Sequence, residues 1–107
     1  MEVKYWDKKI ETIDRSALKA LQLKRLKETV RQALKTPFYK ARLKKCGLRS
    51  AGDISRLDDL NRIPFTTKDD LRECYPAGLL AVAMKDVIRL HTSSGTTGIP
   101  TVIYHTR

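Results

Sequence analysis

The stretch with the clearest chemical potential is Ser93-Ser94-Gly95-Thr96-Thr97-Gly98-Ile99-Pro100, in which six of eight residues are Ser, Thr or Gly. Glycines let a backbone come close to a bulky anion and turn its N–H groups toward it, and hydroxyls add further donors, which is what a phosphate cradle requires. The same residue types build ordinary turns, so composition leaves a cradle and a plain hairpin loop both open. A Walker-type loop is excluded. That pattern needs Gly-x-x-x-x-Gly-Lys-Ser/Thr running into a helix, whereas Gly98 is followed by Ile, Pro and a β-branched run. Any phosphate would be held by loop amides and hydroxyls without a helix behind them.

Other reactive types are scattered. His91 precedes the loop and His105 follows it, and either is a candidate acid–base or phosphate contact; a partly buried or surface imidazole without a catalytic task is the plainer expectation. Asp58-Asp59 and Asp69-Asp70 are adjacent pairs, which do not face each other on a helix, and both fall where a first turn favours negative charge, so they are assigned to capping. Lys68 is expected to be solvated, and Trp6 to anchor the amino-terminal segment. Cys46 and Cys74 show no CxxC or Cys/His spacing, so they read as reduced, half-buried thiols. No metal-ligating set and no catalytic residue emerges from the pattern.

The elements that must position the loop follow from periodicity and punctuation. Residues 14 to 35 predict a long helix, capped by Asp14 or Ser16 and ended by Thr36-Pro37, with Leu23, Leu26, Val30, Ala33 and Leu34 on one arc and Leu18 and Leu21 outside it. A second helix is expected from Pro37 to Cys46, with Thr36 as cap, Gly47 as terminator and Tyr39, Leu43 and Cys46 as its buried stripe. Ser55 to Asn61 reads as a short helix with Ile54, Leu57 and Leu60 three apart and Ser55-Arg56-Leu57-Asp58 as a capping box; Thr67-Lys68-Asp69-Asp70 opens another that stops by Tyr75-Pro76. Val87–Thr92 and Thr101–Tyr104 alternate as strands. The expected class is α+β: helical over 1-78, then a β-hairpin with the loop over 79-107.

The chain has 107 residues, 41% hydrophobic and 32% charged, which suits one domain and excludes wholesale disorder. No apolar run approaches a membrane span and the amino terminus is too polar for a secretory signal, so a cytoplasmic location is expected. The net charge is +10, and all of the excess lies in residues 1 to 50, which hold 15 bases and 5 acids against 7 and 7 in residues 51 to 107. Clustered bases attract polyanions, yet here they are spread over two helices with no consecutive run longer than two, which reads first as a solvated face.

Set beside these features, the run Thr92-Ser93-Ser94-Gly95-Thr96-Thr97-Gly98-Ile99-Pro100-Thr101 resembles the ATP-phosphate loop of the adenylate-forming acyl-CoA synthetase superfamily. The order Thr-Pro-Phe-Tyr (36 to 39), then Pro-Phe-Thr-Thr-Lys-Asp-Asp-Leu (64 to 71), then the loop is similar to its phenylacetate–CoA ligase branch, as are Tyr-Trp-Asp-x-x-Ile-Glu-Thr (5 to 12) and the helix 18 to 26. The resemblance implies that residues 1-107 are the amino-terminal part of an AMP-binding domain, a partial piece of the synthetase large domain with apolar faces exposed where the rest would pack. It implies ATP, Mg²⁺ and coenzyme A as substrates or cofactors: ATP and a small aryl or acyl acid give an acyl-adenylate and diphosphate, and the CoA thiol displaces AMP. Ser93, Ser94, Gly95, Thr96, Thr97 and Gly98 would hold the phosphates, with adenine, acyl and CoA contacts mostly beyond residue 107 and the fragment alone inactive. The partners implied are these small molecules, the rest of a synthetase chain and, as an open option, a second copy, with no membrane and no nucleic acid. The sequence departs from the family at Ile99, where Lys is usual, and at Tyr104, where Gly is usual. Two other classes stay open: a basic helical module for nucleic acid or another polyanion, and a truncated, non-catalytic partner of a full-length synthetase.

Overall fold

The computed structural model describes residues 1–94 and 98–107. Its helices are α1 (Lys8–Glu11), α2 (Arg15–Ala33), α3 (Pro37–Lys45) and α4 (Lys68–Glu73), with 3₁₀ turns at Ala51–Asp53, Leu57–Arg62 and Met84–Asp86. Strands β1 (Arg89–Thr92) and β2 (Val102–His105) pair antiparallel, Arg89 opposite His105 and Thr92 opposite Val102. The chain is therefore mostly helical and closes with a two-stranded hairpin, as expected.

Local chemistry explains the helix ends. The Asp14 side chain accepts from the Ser16 and Ala17 N–H groups at the head of α2. Thr36 is buried and serves both neighbours: its hydroxyl donates to Ala33 O as α2 ends and accepts from Tyr39 N–H as α3 begins, with Pro37 at the first helical position. At the far end of α3, Gly47 takes φ +77°, which lets its N–H donate to Lys44 O and the Leu48 N–H donate to Leu43 O. This double closure swings Leu48 back beside Leu43, and both side chains are buried.

The core sits between α2, α3 and the 51–54 turn: Val30, Leu43, Leu48 and Ile54 are buried, with Leu23, Leu26, Ala33, Leu34, Tyr39, Cys46 and Ile63 packed around them. Both predicted stripes thus face the core. Leu18 and Leu21, outside the arc, are half-buried. The radius of gyration, 17.2 Å, exceeds the roughly 13 Å of a compact domain of this length. Large apolar side chains lie open accordingly: Phe65 is 92% exposed, and Leu60, Ile88, Leu90, Ile99 and Ile103 are exposed. Among the described residues no helix is long and apolar enough to cross a membrane.

Three expectations need correction. The capping box at 55–58 is displaced by one residue: Asp59, not Asp58, accepts from the Ser55 and Arg56 N–H groups, because the segment is a 3₁₀ helix over Leu57–Arg62. Leu60 is exposed there. Trp6 anchors nothing through its ring, which is fully exposed; only its N–H is held, donating with that of Asp7 to the Glu11 carboxylate that closes α1. The strands are also shifted, since Val87 caps the 84–86 turn and Thr101 donates its N–H to a side chain instead of a ladder partner.

The acids of these turns carry a pH dependence. The Ser16 hydroxyl holds the Asp14 carboxyl below the usual carboxylate range, the Arg49 and Ser50 N–H groups do the same for Asp53, and those of Ser55 and Arg56 for Asp59. Asp70 is lowered chiefly by the Thr67 N–H, against the cost of its burial, with the Thr67 hydroxyl and Arg42 assisting. Folding therefore favours the ionised carboxylates. Their stabilisation is complete above the unfolded carboxylate value of about 3.9 and is lost as pH falls below it toward the folded values. Thermal midpoints are expected to be level between neutral pH and about pH 5 and to drop steadily below about pH 4. Midpoints that stay flat down to pH 2 would contradict this account of the caps.

Candidate functional site

The loop that sequence singled out is borne on the hairpin, and its described residues show how its mouth is closed. Ser93 stands opposite Thr101, continuing the strand register, and its N–H donates to Thr101 O at 3.0 Å. In return Thr101 N–H donates to Ser93 Oγ at 2.9 Å. The Ser93 hydroxyl therefore receives a bond from the opposite strand while its own proton stays available to a ligand. The connection 93–101 exceeds the two to five residues usual in a hairpin, a length at which loops commonly carry function.

Ser94, Gly98 and Ile99 are exposed. Gly98 takes φ +125°, and a Cβ built there would meet no heavy atom within 4 Å. Glycine is needed at that point for conformation, not for room. Gly95, Thr96 and Thr97, the other expected phosphate contacts, lie outside the described residues.

The hairpin is seated from one side. On the face bearing Leu90, Val102 and Tyr104, the Tyr104 hydroxyl donates to Pro76 O at 2.9 Å, just beyond α4, and a cavity of about 260 Å³ lies there, lined by Leu71, Leu79, Leu80, Val82, Val102 and Tyr104 among others. Tyr104 thus anchors the hairpin to the segment that follows α4. Gln32 of α2 reaches the same segment at Ala81 O, 3.4 Å away. On the opposite face the register brings Arg89, His91, Ile103 and His105 together. The two imidazoles are neighbours, with ring centres 4.6 Å apart and planes tilted by 55°. Sequence inspection named both histidines but not their meeting; strand parity, with an odd-numbered residue opposite an odd-numbered one, was the signal for it.

The two motifs upstream of the loop prove to be one structural unit. Tyr39 Oη and Thr66 Oγ1 are 2.6 Å apart. Arg42 donates to Phe65 O at 3.1 Å and to Asp70 Oδ1 at 2.6 Å, and its guanidinium lies 4.4 Å from the Phe38 ring centre. Helix α3 thereby clamps the 65–70 segment and the head of α4. Asp70 also accepts from Thr67 N–H while Thr67 Oγ1 accepts from Asp70 N–H, the reciprocal box expected there. Lys68 is exposed, as are Lys19, Lys24, Arg25, Arg31, Lys35, Lys40, Lys44 and Lys45 on α2, α3 and the turn between them, so most of the basic excess forms solvated faces. Cys46 and Cys74 are free and half-buried.

Comparison with known proteins supplies the context. No family model matches the chain. Over 99 residues it is 48% identical to the phenylacetate-coenzyme A ligase of Thermus thermophilus and 44% identical to that of Escherichia coli, matching 92% of this chain in each case. The chain spans 22% of the length of those relatives. Its fold superposes on a crystal structure of 2-hydroxyisobutyryl-CoA ligase, determined with an acyl-adenylate and CoA, with a TM-score of 0.81 and 29% identity over 96% of this chain and 23% of that one. The clamp of α3 on the 65–70 segment and the hairpin with its Ser93–Thr101 closure thus belong to a chain homologous to the amino-terminal part of phenylacetate–coenzyme A ligases, built on the fold of the adenylate-forming ligases.

Proposed function

We propose that this chain provides the phosphate-loop portion of an AMP-forming acid–thiol ligase, one that joins phenylacetate or a similar aryl or acyl acid to coenzyme A at the expense of ATP. The observation that carries the reading is the hairpin loop itself: a Ser/Thr/Gly-rich connection closed by the Ser93–Thr101 pair and turned at Gly98, in a chain 48% identical to a phenylacetate-coenzyme A ligase. Ser93, Ser94, Gly95, Thr96, Thr97 and Gly98 would hold the β- and γ-phosphates while the carboxylate attacks the α-phosphorus. Their contribution is positioning and electrostatic stabilisation by amides and hydroxyls. The described residues contain no group of three or more His, Cys, Asp or Glu suited to a metal. Mg²⁺ fits this donor set only as a companion of the nucleotide, held by the phosphates and water. The exposed apolar side chains Ile88, Leu90 and Phe65 are surfaces that further parts of such a ligase would cover.

A chimera tests this. The matching 99 residues of the Thermus thermophilus enzyme are replaced by those of this chain, and phenylacetate-dependent diphosphate release is measured. Retained activity is the expected result; a folded chimera without ATP-dependent adenylation would overturn the reading. In the same chimera Ile99→Lys is expected to leave the KM for ATP unchanged or to lower it, because a charged donor beside phosphate contributes about 1.5–3 kcal/mol where it makes contact. A clear rise in that KM would show that Ile99 has been placed wrongly relative to the phosphates.

A further inference from the structure

We propose that His91 and His105 form a binding site for a divalent transition metal of the Zn²⁺, Ni²⁺ and Cu²⁺ class, bridging the two strands at the base of the loop. This goes beyond the ligase reading and does not depend on it. The argument begins with register. Arg89 pairs with His105 and His91 with Ile103, so the two histidines occupy diagonal positions on one face. Their ring centres are 4.6 Å apart. An imidazole nitrogen binds such a metal at about 2.0–2.1 Å, which puts a ring centre about 3.2 Å from the metal and two rings about 4.5 Å apart at a 90° ligand angle and about 5.2 Å apart at a tetrahedral one. The observed separation falls in that interval.

The surroundings choose the class of metal. Arg89 is the one ionisable side chain sharing this face with the histidines among the described strand residues, and no carboxylate pairs with it or with them. A hard cation such as Mg²⁺ or Ca²⁺, which depends on oxygen ligands, is disfavoured where no carboxylate shares the face. Borderline metals with a strong preference for imidazole nitrogen are favoured instead, with water completing the coordination. The face is open for this, since the opposite face is the one anchored through Tyr104, while His91 is exposed and His105 half-buried. A metal held here ties β1 to β2 two residues before Ser93.

The test uses Ni²⁺ or Zn²⁺ alone with the full chain. In wild-type protein the imidazole nitrogen resonances of His91 and His105 are expected to move together with a single midpoint. His91→Ala and His105→Ala should each weaken binding by at least about tenfold, because the second imidazole of a chelate acts at an effective concentration in the millimolar range. The hairpin contains no buried residue, so neither change is expected to unfold the helical core, and the circular dichroism of each variant verifies that. Movement of only one ring, of neither ring, or binding unchanged within about twofold in both variants would overturn the proposal. So would loss of binding in Cys46→Ser/Cys74→Ser with both histidines intact.

Discussion

Replacing Ile54 by alanine is expected to unfold most of the helical half of this chain in conditions where the wild type is folded. Ile54 is fully buried, as is Leu48, and these two with Val30, Leu43 and Ala51 are the buried hydrophobic residues among those described. Removing most of such a side chain from a packed core costs about 2–5 kcal/mol, as transfer free energy plus the cavity left behind. Typical domains have only about 5–15 kcal/mol in total, and a fold with so few buried apolar residues has no reason to sit at the upper end. The position matters as much as the burial. Ile54 ends the 51–53 turn and shares one buried cluster with Val30 of α2 and the Leu43–Leu48 corner, so the cavity would open where three elements join. In urea, with helicity followed by circular dichroism, the midpoint is expected to fall by more than about 1 M. Leu60→Ala is the control: that side chain is 55% exposed and its loss should stay within about 0.5 kcal/mol. Equal losses in the two variants would mean that the core has been misplaced.

The helices of this core were legible because each carried its own boundary chemistry. Asp14, Thr36-Pro37, Gly47 and the Thr67…Asp70 pair act within three or four residues of where they stand, and local rules suffice for interactions of that range. The missed elements have local signals too, though weaker ones. Glu11 accepts from Trp6 and Asp7, and Asp53 from Arg49 and Ser50, each an acid that gathers two backbone N–H groups from three to five residues upstream. Asp59 repeats this arrangement with Ser55 and Arg56. Starting the capping box at Ser55 placed that cap on Asp58, one position early, whereas the observed box starts at Arg56 and its fourth residue is Asp59.

What could not be read locally was the relation between segments. The Thr-Pro-Phe-Tyr and Pro-Phe-Thr-Thr-Lys-Asp-Asp-Leu stretches pointed to one branch of one superfamily as separate strings of text. In the structure they are joined through Tyr39–Thr66 and through Arg42 to Phe65 O and Asp70. A guanidinium 28 residues from its carboxylate leaves no periodic trace in a sequence. The same holds at the loop. Its composition announced an anion site, but the use of Ser93 as acceptor for Thr101 N–H depends on the register of β1 against β2, which pairing sets and composition does not. The cavity behind the hairpin likewise gathers residues from α4, the 76–82 segment and β2.

Gly98→Ala in the chimeric ligase is expected to lower kcat/KM for ATP by about tenfold to a hundredfold while leaving the stability of the helical core unchanged. At φ +125° an alanine meets no neighbouring atom, so crowding plays no part. The cost is conformational: holding a non-glycine residue in that region takes of order 1–3 kcal/mol, and an exposed position whose Cβ meets no neighbour relaxes away instead of bearing it. On the proposed role, relaxation turns the amides away from where the phosphates must lie, and the same 1–3 kcal/mol then appears as a loss of transition-state stabilisation. Stability should not follow, because neither strand of the hairpin holds a buried residue and the buried hydrophobic residues among those described lie within 30–54. Gly52→Ala serves as the comparison: Gly52 has no positive φ, and its added Cβ would lie 3.4 Å from Ser50 Oγ, far from the loop in sequence. A Gly98→Ala enzyme with unaltered ATP kinetics would show that the left-handed turn is an ordinary loop feature and that the phosphates are held elsewhere. A fall in kcat/KM accompanied by an equal fall in the thermal midpoint would assign Gly98 to folding instead of to nucleotide binding.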